Sequence, residues 1–236
     1  VVKCLIAAGA NLNAKGEDGL TAFEWARKKG KATTAVLLKN PDLYLKMSAE
    51  ELDSTLKLIV EMGEQLRQAA RDNNAATARQ ILSSSSDKAA VLNATDENGW
   101  TALHLCAVVD RVAVAQVLVE HGADIEARDK WGDTALHYCA GNDSVAVAQV
   151  LIPSRVPILR RSRGPILRRE IRTNDTPLTL GAYCGRTNVV KCLIAAGANL
   201  NAKGRDGLTA LEWAEKMRED GGNTATAAVL GQQQQC

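Results

Sequence analysis

The chain has 236 residues, 46% of them apolar but only 3% aromatic, and a formal net charge of +2. Such a composition builds its core from Ala, Leu, Val and Ile, as short and closely stacked helices require, so a soluble, mostly helical protein is expected. No stretch is long and apolar enough to span a bilayer, and no secretory leader core is visible.

The first residues are a copy of later ones. Val1–Lys15 recurs letter for letter at Val189–Lys203, and 25 of the 29 residues from each start match. The exceptions are Glu17/Arg205, Phe23/Leu211, Arg27/Glu215 and Lys29/Met217. An offset of 188 residues is too long for one helical repeat and suits a whole array of them. Residues 1–40 therefore read as the C-terminal part of a first array, and 64–230 as a complete second array. Val1 falls inside a second helix without the first helix it should pair with, so a longer protein is expected. Trp25 and its twin Trp213 take a helical position expected to face the core.

Residues 41–63 read as a helical linker. Pro41 ends the preceding helix, and Ser48 followed by Glu51 has capping-box spacing. Leu52, Leu56, Ile59 and Val60 then recur at helical intervals, which predicts a helix from Ser48 to Met62 packed on the flanking repeats as a rigid joint. Residues 64–95 have helix–turn–helix spacing over Leu66–Leu82 but lack the start motif of the units that follow, as an N-terminal cap would.

From there a period governs the chain. Thr101-Ala-Leu-His104 and Thr134-Ala-Leu-His137 are the same four residues 33 positions apart, and Thr176-Pro-Leu178 and Thr209-Ala-Leu211 are again separated by 33. A repeat of that length marks a stacked solenoid. Around the first anchor, Asp96-Glu-Asn-Gly-Trp-Thr-Ala-Leu-His-Leu-Cys-Ala107 leads to Val114-Ala-Gln-Val-Leu-Val119 and then His121-Gly-Ala-Asp124. This resembles the ankyrin repeat: a polar β-turn, a Thr-Pro-Leu-His-x-Ala first helix, an apolar second helix, then Gly-Ala-Asp. Thr101 can cap the first helix with its hydroxyl, and Gly122 can take the left-handed conformation that ends the second. The fold class is all-α, an ankyrin-type solenoid with short β-turn fingers. Its units are 96–128, 129–170, 171–203 and 204–230, followed by a polar tail over 231–236.

The second unit is interrupted. Thr134 to Thr176 spans 42 residues, 9 more than the period, and Pro157-Ile-Leu-Arg-Arg161 recurs as Pro165-Ile-Leu-Arg-Arg169. Seven Arg and one Glu between Arg155 and Arg172 make this segment net +6, so the rest of the chain sums to −4. Arg160, Arg161, Arg163, Arg168 and Arg169 offer planar forks suited to carboxylate or phosphate. Three readings stay open: a docking strip for an acidic protein surface, a slippage duplication without a role, or a site for nucleic acid or an anionic lipid headgroup. Nucleic acid is disfavoured, because one short strip on an acidic array supplies few phosphate contacts.

Catalysis and metal binding find almost no support. The chain has no G-x-S-x-G, no phosphate-cradling glycine loop and no metal-ligand cluster. Cys106 and Cys139 replace a small packing Ala, Cys4 and Cys192 are duplicates on second helices, Cys184 ends a first helix, and Cys236 is in the tail. No C-x-x-C pair occurs. Buried thiols acting as small hydrophobes imply the cytoplasm or another reducing compartment. No cofactor is expected.

The resemblance implies that partners bind the β-turn fingers and the exposed ends of the first helices, which line the concave face. Here those positions are Trp100, Trp131 and Asp133 in two fingers, and Val108, Val109, Asn142 and Tyr183 on helix ends. The two Trp are candidate hot spots, the alternative being that each packs over its own turn. It also implies that His104 and His137 bond between turns and ligate nothing. The reading is a non-enzymatic scaffold or adaptor for other proteins. The alternatives are a regulatory or targeting module of a larger enzyme or channel, and a permanent subunit of a large assembly.

Overall fold

In a computed structural model, the described residues are 47–159, 175–219 and 223–234, with 5–6, 8–17, 19–22, 25–26, 34 and 38 of the N-terminal stretch. These residues are predominantly helical, and the one β-bridge among them joins Lys15 and Thr21.

The helical stack begins with α1, Ala49–Arg71. Ser48 caps it as the sequence predicts: the Ser48 hydroxyl accepts from the Glu51 N–H at 3.2 Å, and the Glu51 carboxylate accepts from the Ser48 N–H at 2.9 Å. Leu56 and Ile59 are buried, but the helix does not stop at Met62. It runs unbroken to Arg71. Gly63 lies inside this helix. A glycine normally weakens a helix interior, but here a Cβ would overlap the Ala94 methyl, so the missing side chain admits the turn against the helix. Arg67, one turn on and 3% exposed, anchors the same turn by donating to the Ala94 carbonyl at 2.9 Å.

Beyond it the helices alternate in two rows. α2 (Ala75–Ser84) and the short α3 (Lys88–Leu92) follow α1. Then come α4 (Ala102–Val109) with α5 (Val112–Glu120), and α6 (Ala135–Asn142) with α7 (Val145–Leu159). The last pairs are α8 (Pro177–Tyr183) with α9 (Thr187–Ala195), and α10 (Ala210–Glu219) with α11 (Thr224–Gln234). First helices pack on first helices in the order α1, α4, α6, α8, α10, and second helices α2, α5, α7, α9, α11 do likewise. Leu66, Leu82, Leu103, Leu118, Leu151 and Leu230 are fully buried between the rows.

The turn inside each helix pair needs a left-handed residue, and the chain supplies short polar ones. Asn73, Asp110, Asp143 and Asn223 have φ of 54°, 52°, 60° and 57°. Their side chains also tie neighbouring units together. Asp110 Oδ1 accepts from the Val147 N–H at 3.0 Å, and Asn223 Nδ2 donates to the Ala182 and Tyr183 carbonyls at 2.9 Å each. Asn and Asp tolerate this conformation because their short side chains find local partners. At the corresponding place in the α8–α9 turn stands Gly185, where a side chain would collide with Asn223. Gly122 ends α5 at φ 87°, as its place in the sequence predicts.

The insertion does not break the stack. α6 packs on α8 and α7 on α9 across it, and Arg186 Nε donates to the Gly141 carbonyl at 3.0 Å. The segment from Pro153, expected to be loop, begins as helix instead, because α7 continues through Leu159. Backbone hydrogen bonding thus outlasts the apolar pattern that ends near Ile152. Arg160, Arg161, Arg163, Arg168 and Arg169 lie outside the described residues.

Candidate functional site: the fingers and the first-helix row

The first two fingers are each closed by a leading aspartate. Asp96 Oδ1 accepts from the N–H groups of Asn98 and Trp100 at 2.8 and 2.9 Å. Asp129 Oδ1 does the same for Trp131 and Asp133, at the same two distances. The fingers are then joined by Lys130 N–H donating to the Asn98 carbonyl at 3.0 Å.

The second carboxylate oxygen of Asp129 makes the site. Oδ2 accepts from Trp100 Nε1 at 3.1 Å and from the Tyr138 hydroxyl at 2.5 Å, and Asp129 is only 8% exposed. The Trp100 and Tyr138 rings meet edge to face with centroids 5.0 Å apart. Burial first, and the Asp129 carboxylate second, push the Tyr138 phenol well above its usual range, so it stays a donor. Trp100 is therefore neither a free finger side chain nor packed over its own turn. Its indole crosses to the next unit.

The histidines work between turns. His104 Nδ1 accepts from the Thr101 N–H at 3.2 Å, which leaves Nε2 to donate to the Asp133 carbonyl at 3.2 Å. His137 repeats this with the Thr134 N–H at 3.1 Å and the Asp175 carbonyl at 3.0 Å, the latter across the insertion. Both rings are buried, and among the described residues no group of three His, Cys, Asp or Glu could hold a metal ion.

A second aromatic pair lies further along the same row. Tyr183 and Trp213 meet edge to face at 5.0 Å, with the Lys216 ammonium 4.9 Å from the Trp213 ring centre. Trp213 is thus not a core residue as expected. It stands four places after its anchor Thr209, as Tyr138 does after Thr134, and so belongs to the row's surface. Its twin Trp25 is 39% exposed.

Among the other sequence candidates, Val109 and Tyr183 are 45% and 48% exposed, Asn142 is exposed, and Val108, Trp131 and Asp133 are half-buried. The Asn142 amide donates to the Tyr138 carbonyl at 3.0 Å, tying the helix end to the Asp129 network. Asp129 and Tyr138, which hold that network, are the residues sequence reasoning missed. The signal for Tyr138 was its register, since Leu105, Tyr138, Leu180 and Trp213 all stand four places after an anchor threonine.

The described cysteines Cys106, Cys139, Cys184 and Cys192 are free thiols, and the first two are fully buried. Burial pushes Cys106 up from 9.0 to about 12, and Cys139 further. Because the folded value is the higher one, Cys106 favours the folded state below pH 9, and that contribution is lost as pH rises toward 12. Under native, mildly alkaline conditions, a thiol reagent followed by peptide mapping is expected to label Cys192 and Cys184 and to leave Cys106 and Cys139 unmodified until denaturant is added. Rapid native labelling of Cys106 would contradict its burial.

Stacked helix pairs joined by polar turn fingers define a stacked-repeat protein. Family models for ankyrin repeats match the chain, three copies over residues 66–162 and one over 173–205. The chain belongs to the ankyrin-repeat family, whose members generally mediate protein–protein interaction and are typically non-enzymatic. A comparison with curated proteins finds no match. No helix among the described residues is long and apolar enough to cross a membrane.

Proposed function

We propose that this protein is a non-enzymatic scaffold or adaptor that holds other proteins against its fingers and first-helix row. The observation that carries the reading is the set of apolar and aromatic side chains left at the surface of the fingers and that row: Val109 and Tyr183, both close to half exposed, Trp213 half-buried against Tyr183, and Trp131 half-buried in its finger. Aromatic anchors on a rigid surface suit a hot spot, because little side-chain freedom remains to be lost on binding. The hydrogen bonds of Trp100 and Tyr138 to Asp129 favour a preorganised surface of this kind. We assign the basic segment around Arg160, Arg161, Arg163, Arg168 and Arg169 a second role, docking an acidic patch on the partner. Its net +6 against an otherwise acidic chain supports that role.

Cross-linking mass spectrometry on the native protein identifies the partner and the face it uses. With the partner in hand, Trp131→Ala with Tyr183→Ala is expected to weaken binding by about 2 kcal/mol or more, without changing its salt dependence. Replacing Arg160, Arg161, Arg168 and Arg169 with Gln is expected to cost on the order of 1 to 3 kcal/mol and to flatten the salt dependence. Cross-links confined to the second-helix row, with both sets of variants binding normally, would refute the proposed surface.

A further inference from the structure

Seven residues after its anchor threonine, each first helix offers a different chemistry. Gly141 on α6, Tyr183 on α8 and Lys216 on α10 stand in that register, after Thr134, Thr176 and Thr209. α6 packs on α8 and α8 on α10, so the three are neighbours on successive helices. Around the place of a Cβ at Gly141 nothing lies within 4 Å, which leaves a notch in the row. Tyr183, 48% exposed, leans toward α10 and meets the Trp213 ring at 5.0 Å. Two cations bracket this stretch. Arg186 is exposed, and its Nε donates to the Gly141 carbonyl at 3.0 Å, which holds its guanidinium beside the notch. The exposed Lys216 ammonium lies 4.9 Å from the centre of the Trp213 ring. Neither cation forms an ion pair among the described residues. Carboxylates of the flanking turns are committed to the backbone: Asp143 accepts from the Val189 N–H at 3.4 Å, and Glu212 from the Thr209 N–H at 2.6 Å. Glu215, next to Lys216 in sequence, is exposed and pairs with neither.

We infer that this stretch docks an extended acidic segment of a partner protein. One carboxylate of the segment pairs with Arg186, an apolar side chain fills the notch at Gly141, and a second carboxylate pairs with Lys216. The inference rests on the first-helix row being the binding face, and adds the chemistry which that face selects. Spacing sets the length. Two interhelical steps of about 8 to 10 Å separate α6 from α10. An extended chain rises about 3.3 Å per residue, so the two carboxylates stand about six residues apart. Even-numbered offsets put them on one face of the segment, with the apolar residue two places after the first. Unpaired cations beside aromatic rings also suit single-stranded nucleic acid, but that occupant fits less well. Lys216 and Tyr183 already engage the Trp213 ring, which leaves little face for a stacked base, and two cations reach few phosphates.

The probe is a synthetic heptapeptide, Glu-Ser-Leu-Ser-Ser-Ser-Glu, titrated into the full chain and followed by heteronuclear NMR. It should shift the Gly141 and Tyr183 amides and the Trp213 indole N–H. Changing both peptide Glu to Gln, or Lys216 to Gln in the protein, should weaken binding by about threefold to fivefold and flatten its salt dependence. Gly141→Leu should abolish the peptide's advantage over a version with Ser in place of Leu. That variant fills open space and replaces a helix glycine, so its unfolding midpoint should not fall. The inference is overturned if millimolar peptide shifts none of the three signals, or if Gly141→Leu folds and binds as the parent does. It is equally overturned if an oligothymidylate binds the same residues more tightly than the peptide. Loss of peptide binding on replacing Arg160, Arg161, Arg168 and Arg169 with Gln, with Lys216→Gln unaffected, would also overturn it by moving acidic recognition to the basic segment. A native partner that cross-links to the first-helix row yet binds Gly141→Leu and Lys216→Gln normally would overturn the acidic segment alone, and leave the binding face standing.

Discussion

Asp129→Ala is expected to lower the stability of the protein by about 2 to 4 kcal/mol, the largest effect of any single polar substitution in the fingers. One carboxylate there satisfies four donors: the Trp131 and Asp133 N–H groups through Oδ1, and the Trp100 indole and Tyr138 hydroxyl through Oδ2. Removing it strands donors in a pocket where Asp129 itself is 8% exposed, and an unmade buried bond costs more than a made one contributes. Asp129→Asn separates the two halves of the argument. Its amide oxygen can still close the finger, but its NH₂ then faces the indole N–H, which only donates. A smaller loss of about 1 to 2 kcal/mol is therefore expected for Asn. Urea unfolding, followed by tryptophan fluorescence and by circular dichroism, measures both. If Asp129→Ala unfolds within about 0.5 kcal/mol of the parent, the carboxylate is not what holds the two fingers together.

The second large effect concerns the stack itself. Leu118→Ala removes a side chain with no exposed surface between the two helix rows, and is expected to cost about 3 kcal/mol, within the range of about 2 to 5 for such truncations. Leu58→Ala, at a side chain 54% exposed on α1, is the control and should change stability by less than about 0.5 kcal/mol. More informative than the size is how far the loss spreads. Stability in a repeat protein is a sum of unit and interface contributions, so damage travels only across intact interfaces. Contacts of α6 with α8 and of His137 with the Asp175 carbonyl continue past the insertion. Hydrogen exchange in α8 and α9 should therefore accelerate together with that in α4 to α7. Acceleration confined to α4–α7 would mean that the array is energetically divided at the basic segment.

Much of this was legible in the amino-acid order. The 33-residue spacing of Thr101 and Thr134 defined the repeating unit, and with it the two-row helical architecture. Ser48 and Glu51 announced the start of α1, because a capping box is a local pattern within four residues. Cys106 and Cys139, replacing a packing alanine, declared their burial. These are short-range or periodic signals, and they survive in a one-dimensional string.

What the string could not decide depends on how one unit sits against the next. The bond from Trp100 to Asp129 spans 29 residues, and that from Trp100 to Tyr138 spans 38. Neither is a period, because each follows from the offset between adjacent fingers and helices in space. The same is true of the close approach of Ala94 to Gly63, which lies inside α1. Trp213 looked like a core residue by its helical position, but its ring is half-buried on the surface row, edge to face with Tyr183 from the neighbouring unit. Leu193 makes the division plainest: the order of residues determines what its helix can bury, while the packing of α7 and α8 against α9 decides that it does.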